Sequence, residues 1–145
     1  MLLIVLLAGC APPPPVMPAD LAYPVLVLFP QSGSVRHDDA ADLKIMSVQR
    51  VMGAHGEVYL IDSRLDIYRL DKLESEHSGI WLMAHPNGRT EVRFDLQRIA
   101  TADAIRARQL IVDRDARMKS ADGATLRTTM LEATSMKDML QIIGK

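Results

Sequence analysis

Val25-Leu26-Val27-Leu28-Phe29 is a run of five apolar residues closed at both ends by proline, Pro24 and Pro30. A continuous apolar run this short is of strand length, and the flanking prolines keep it out of a helix. It is the fixed point around which the remaining elements are read. Gln31-Ser32-Gly33-Ser34 then turns the chain. Asp38 and Asp39 open a helix whose apolar face runs Ala41, Ile45, Val48 and Met52, with Gly53 at its end. The acidic pair suits the positive end of the helix dipole. Glu57 to Asp62 reads as the next strand, continuing as Leu65-Asp66-Ile67-Tyr68, and Leu70 to His77 as a short helix or a loop. The first half therefore has a strand–helix–strand pattern.

Ile80-Trp81-Leu82-Met83-Ala84 and Thr90-Glu91-Val92-Arg93-Phe94 flank His85-Pro86-Asn87-Gly88. Asn-Gly between such runs predicts a hairpin, because glycine accepts positive φ without penalty. In the second run Val92 and Phe94 alternate with Glu91 and Arg93, which gives one buried face and one solvated face. Thr101 can cap a helix over 102–118 with Ala104, Ala107, Ile111 and Met118 on its apolar face. Asp113–Arg117 and Asp115–Lys119 are spaced for i,i+4 pairing. Asp122-Gly123 is a turn, and Thr125 to Leu131, rich in β-branched residues, reads as a strand. Ser135, with Asp138 three residues on, caps a last helix carrying Met136, Met139, Leu140 and Ile143 and stopped by Gly144. These elements predict an α+β fold: one small domain, a mixed sheet with one clear hairpin, and two to three helices packed against it.

Charge narrows the partners. Lys+Arg of 17 against Asp+Glu of 18 leaves a net charge of −1, which offers no basic surface for nucleic acid. One cysteine, Cys10, allows no disulfide within the chain, so packing must supply the stability. Aromatics are 4% of the sequence and methionines number nine, and methionine reads here as a filler of the core.

Residues that could carry chemistry are scattered. His37-Asp38-Asp39 reads as a helix start, since adjacent side chains diverge there. His55, His77 and His85 sit beside glycine, proline or charged residues, as surface histidines do. None pairs with another at the spacing of a helical zinc site. Gln31-Ser32-Gly33-Ser34 is not a nucleophile elbow, and Glu74 and Glu76 around Ser75 read as a solvated charged face. Gly33 alone makes no phosphate loop. The expectation is no catalytic residues, no metal and no cofactor.

The N-terminus supplies an address. An apolar leader, Met1 to Leu7, runs into Leu7-Ala8-Gly9-Cys10 and then Ala11-Pro12-Pro13-Pro14-Pro15. This resembles the lipobox of bacterial lipoproteins, in which Leu7, Ala8 and Gly9 would be read by signal peptidase and Cys10 would carry the acyl chains. The resemblance implies residues 1–9 as a signal peptide, 10–20 as a tether and 21–145 as the domain. Three acyl chains hold a protein on a membrane stably, where one holds only marginally. The leader is too short to span a bilayer, which takes ~20 residues. Its missing basic n-region points to a start codon upstream of Met1. The proline run forms an extended, semi-rigid spacer at ~3.1 Å per residue. Ala11, where an aspartate would favour the inner membrane, implies the outer membrane and a body facing the periplasm.

Two further resemblances concern the body. Thr125 to Gly144, a polar strand and then a capped helix, is similar to a repeated unit in the periplasmic domains of secretins and in small lipoproteins of type IV secretion outer-membrane complexes. Leu28-Phe29 and Ser34, then a helix, then Val58 to Arg64 resembles the OmpA-like peptidoglycan-binding domain, although the Gly-His-Thr preceding that family's acidic residue is missing. Asp62 reads as a turn residue rather than a peptide-reading carboxylate. The resemblances together imply a non-catalytic structural or assembly component of an envelope complex of secretion or conjugation type. A peptidoglycan- or small-ligand-binding lipoprotein is the alternative, and an enzyme the third.

Overall fold

A computed structural model describes residues 15–31 and 33–144. Six strands form one curled sheet in which every pairing is antiparallel. They are β1 (Val25–Phe29), β2 (Gly33–His37), β3 (Ile45–Ser47), β4 (Val58–Ile61), β5 (Ile67–Ser75) and β6 (Arg89–Ala100), in the order β2-β1-β4-β5-β6-β3. Three short helices interrupt them: α1 (Ala40–Leu43), α2 (Val48–Met52) and α3 (Gly79–Ala84). Four more follow: α4 (Ala104–Arg114), α5 (Ala116–Lys119), α6 (Ala124–Glu132) and α7 (Met136–Ile143). The α+β class holds, whereas the sheet is antiparallel throughout rather than mixed.

The proline-bracketed run is β1, residue for residue, and its composition has a physical reason. The sheet has a core on each face. Leu26 and Leu28 join Ile61, Ile67, Ala107, Ile111, Met118, Met130 and Met139 beneath the C-terminal helices. Val25, Val27 and Phe29 point the other way, into the hollow of the curl, with Leu43, Met46, Leu60, Tyr68 and Leu96. A strand covered on both sides has no polar position to spare, hence five apolar residues instead of an alternation. β6 does alternate over its first half, with Thr90, Val92 and Leu96 buried between exposed Arg89, Glu91, Arg93 and Asp95. Met46, Met118, Met130, Met136 and Met139 fill the cores as expected, whereas Met17, Met52 and Met83 are exposed.

Several expectations are overturned, mostly by strand pairing. The helix over 38–53 is cut in two. After α1, capped by Asp39, the chain straightens so that Ile45, Met46 and Ser47 pair with Glu91, Thr90 and Arg89. Ser47 then caps α2, which stops at Gly53. The free edge of β6 thus outcompetes four residues of helix. The turn after β1 is shorter than predicted, since Gly33 with φ +78° already begins β2. The strand over 57–68 reverses at Asp62–Asp66, with Leu65 at φ 63°, so that Ile67 faces Ile61. Leu70 to Ser75 belongs to β5, which carries a bulge at Lys72.

Ile80 to Ala84 is helix α3, not the first arm of a hairpin. The Ser78 hydroxyl accepts the Trp81 amide at 3.3 Å and starts the helix. The real hairpin joins β5 to β6, with α3 inside its loop. Gly88 does not need positive φ there; it closes on His85 through its amide at 3.0 Å.

Asp103 rather than Thr101 caps α4, and Asp115 ends it and caps α5. Instead of the predicted i,i+4 pairs, Arg117 folds back onto Asp115 at 3.2 Å, and Asp113 accepts from Gln109 at 2.8 Å. Thr125 to Leu131 is helical, within α6. Leu126, Met130 and Ala133 share its covered side, a helical spacing, and Thr128 and Thr129 return hydroxyl bonds to the carbonyls four residues back at 3.0 and 2.8 Å. The secretin-like strand is therefore absent. The last helix forms as expected, with Ser135 as its cap and Gly144 at its end. Met136 and Met139 are buried as predicted, while Ile142 is the third buried residue and Leu140 and Ile143 are only partly covered.

The end of the predicted tether lies on the body. Val16 bridges to Leu96, and a 3-10 turn over Pro18–Asp20 leads into buried Leu21.

Candidate functional site

Curling brings the two edge strands, β2 and β3, towards each other, and α1 is the only element between them in the chain. A pocket of about 220 Å³ occupies this seam. Phe29, Val35, Ile45 and Met46 supply an apolar wall. His37, Ser47, Arg50, Asn87 and Arg89 supply the polar one.

Two atoms distinguish it. Among the described residues, the buried side-chain nitrogens without a hydrogen-bond partner are His37 Nε2 and Arg50 Nε, and both residues line this pocket. Buried polar atoms are satisfied in nearly all folded proteins, so each exception calls for a reason. His37 is 3% exposed. Its Nδ1 lies 3.2 Å from Asp42 Oδ2. A carboxylate only accepts, so Nδ1 carries the hydrogen and the neutral ring leaves a lone pair on Nε2. Burial keeps the imidazole below its ordinary pKa, against the pull of Asp42 and with help from Arg89. Arg89 approaches the second oxygen of Asp42 at 3.8 Å, which holds that carboxylate behind the histidine.

Local sequence explains the arrangement. β2 ends on His37 facing inwards, Asp39 caps α1 so that Asp42 falls one turn on, and Ser47 caps α2 so that Arg50 follows three residues later. The Asn87-Gly88 loop closes the far side, where Gly88 accepts the Val48 amide at 3.0 Å. The seam thus offers a base, two arginines and an apolar wall. It can hold an anionic group with an apolar body. Sequence reading placed His37 among helix-start residues and did not single out Arg50 or Arg89; only the pairing of β3 with β6 brings them together.

The other residues singled out above fall elsewhere. Cys10, Leu7, Ala8 and Gly9 lie outside the described residues. Asp38 binds Arg36 at 2.7 Å. Glu74 and Glu76 are exposed beside Arg93, 3.9 and 4.0 Å away, as a charged face. His55 is exposed. His77 and His85 stack on the two sides of Trp81, with ring centroids 3.8 and 4.2 Å apart. Asp62 is fully buried and accepts the amides of Ala22, Arg64 and Asp66 together with the Arg64 guanidinium. It pins the β4–β5 loop to the segment before β1. Among the described residues no group of three or more His, Cys, Asp or Glu converges as a metal site.

A wider groove of about 800 Å³ runs beside α7, lined by Arg36, Ser63, Ser135, Lys137 and Leu140 among others. Most of its polar groups are engaged already: Arg36 with Asp38, Ser63 with the Pro24 carbonyl, and Ser135 with its own helix. The seam is smaller but chemically open.

No family model, curated protein or solved structure matches this chain. No helix among the described residues is long and apolar enough to cross a membrane. The class the structure defines is thus an antiparallel α+β domain with a polar pocket at the seam of its curled sheet.

Proposed function

We propose that this chain is an envelope lipoprotein, anchored through lipid on Cys10 to the outer membrane, whose folded body faces the periplasm and acts by binding as an assembly component of an envelope complex. The observation that carries the docking role is α3. This six-residue helix buries only Leu82 and leaves Ile80 and Met83 82% and 70% exposed. Trp81 stands between its two histidines, held in one orientation by the stack and by His85 Nδ1 on its carbonyl at 2.8 Å. Aromatic and methionine side chains are enriched in protein interfaces, and tryptophan is among the residues on which their energy concentrates. Apolar side chains projecting from a helix of this kind serve a partner better than they serve the fold.

Palmitate labelling of wild type and Cys10→Ala, followed by detergent pull-down and mass spectrometry, tests the reading. The expected result is label lost with Cys10→Ala, and a large detergent-stable particle of envelope subunits that is lost with Ile80→Glu/Met83→Glu. An unlabelled wild type, or a particle indifferent to the α3 substitutions, overturns it. The seam pocket favours a second reading, a small-ligand-binding lipoprotein. A cell-wall binder would instead sediment with peptidoglycan.

A further inference from the structure

We infer that the seam between β2 and β3 is a binding site for a small organic carboxylate, with the acid group between His37 and Arg50 and an apolar body against Phe29, Ile45 and Met46. The inference holds for the folded body whichever partner α3 takes.

Size sets the first limit. At about 30 Å³ per water, 220 Å³ holds roughly seven waters, or a ligand of about ten non-hydrogen atoms. Charge sets the second. Among the described residues Arg50 and Arg89 line the pocket and no carboxylate does. The nearest acid, Asp42, is occupied by His37 and Arg89. A guanidinium fork suits a carboxylate, and the Nε hydrogen of Arg50 has no other acceptor. The apolar wall excludes a bare inorganic anion as the best fit, because it would leave the accessible side chains of Val35 and Ile45 facing unfilled space.

His37 sets the third. Its unpartnered Nε2 is an acceptor while the ring is neutral, so an ionised carboxylate beside it brings lone pair against lone pair. The conflict is removed when the ring takes up one proton from solvent. Imidazolium then donates through Nδ1 to Asp42 and through Nε2 to the ligand, and the ligand's charge is balanced. Binding of the anion is thereby coupled to the uptake of one proton. The charged groups acting on His37 are Asp42 from α1 and Arg89 from β6, and Arg50 from α2 lines the same pocket; β1 and β3 present Phe29, Ile45, Met46 and Ser47, which carry no charge.

The test is calorimetric titration of the full chain in detergent with benzoate, its neutral relative benzyl alcohol, and inorganic phosphate. Benzoate is expected to bind, with affinity rising towards tenfold per pH unit as pH falls from 8 to 7, the slope of one proton taken up. Benzyl alcohol and phosphate should each bind at least tenfold more weakly. Arg50→Met, which keeps the volume, should weaken benzoate at least tenfold. Should that variant fail to fold, the wild type still decides: benzoate must shift the ¹⁵N resonances of His37 Nε2 and Arg50 Nε. Benzyl alcohol binding as tightly as benzoate, phosphate binding best, a pH-independent affinity, or unmoved His37 and Arg50 resonances each overturns the inference.

Discussion

Ser34 Oγ donates to Asp115 Oδ2 at 3.2 Å, across 81 residues of chain. The bond ties the edge strand β2 to the break between α4 and α5. Asp115 is 4% exposed and also receives the Arg117 amide at 2.9 Å and its guanidinium at 3.2 Å. The residue that stops one helix starts the next, and does so against the sheet.

Asp115→Ala is expected to cost about 2–3 kcal/mol, the loss of a cap together with a buried hydrogen-bond set, and Ser34→Ala about 1 kcal/mol. Urea unfolding of both single variants and the double variant checks this, and coupling between the two sites should be evident. Burial raises the Asp115 carboxyl, but the bonds from Arg117 and Ser34 outweigh it and hold it below its ordinary value. A depressed folded pKa gives stability that is present above the unfolded pKa, about 3.9, and lost as pH falls through the folded one. Asp115→Ala should remove that part of the acid sensitivity.

His37 titrates in a different window. Its folded pKa lies below the ordinary value, chiefly through burial. Below about pH 6.5 the unfolded chain binds a proton that folded His37 resists, so stability falls as pH drops, by at most about 1.4 kcal/mol per unit from this group. Denaturation midpoints between pH 8 and 5 should show the decline for wild type and a shallower one for His37→Gln.

Two glycines should respond in opposite directions. A Cβ on Gly123 would run into the Arg117 carbonyl oxygen and come within 2.9 Å of Met118 Cα, both backbone atoms that cannot step aside. Gly123→Ala should cost about 1–3 kcal/mol as an overpacked site. At Gly79, the first residue of α3, a Cβ meets nothing within 4 Å. Gly79→Ala should raise stability by about 0.4–1 kcal/mol by restricting the unfolded chain. Thermal melts of the two variants decide.

The Tyr23 hydroxyl donates to the Pro18 carbonyl at 2.6 Å. Burial, assisted by Asp39, pushes its pKa up to about 12. Because the folded value is raised, its contribution is present below pH 10 and lost as pH rises towards 12. Phenolate absorbance of wild type against Tyr23→Phe should place the missing transition near 12.

Local chemistry alone makes some elements legible. β1 is readable because prolines bracket it and it is buried on both faces, and α7 because Ser135, Asp138 and Gly144 mark its ends while its apolar residues keep helical spacing. The alternation of β6 is readable for the same reason. Elements whose state depends on a distant partner are not. Ile45 has the helical spacing of one face with Ala41, Val48 and Met52, yet the open edge of β6 takes Ile45 to Ser47 as a strand. Ile80 to Ala84 have the composition of a strand, yet no strand lies beside them and Ser78 turns them into a helix. Thr125 to Leu131 have β-branched residues, but their covered side follows a helical repeat set by the layer below.

The sequence by itself determined the α+β class, the first strand, the last helix and the use of methionine as a core filler at several positions, since propensity, capping and periodicity act over a few residues. Tertiary structure alone decided the antiparallel order, the breaks at Lys44 and Asp115, and the seam. His37, Arg50 and Arg89 lie far apart in the chain, and each is unremarkable there. They become one pocket only because β3 pairs with β6 in the curled sheet, and that pairing is a competition among distant backbones which no local pattern encodes.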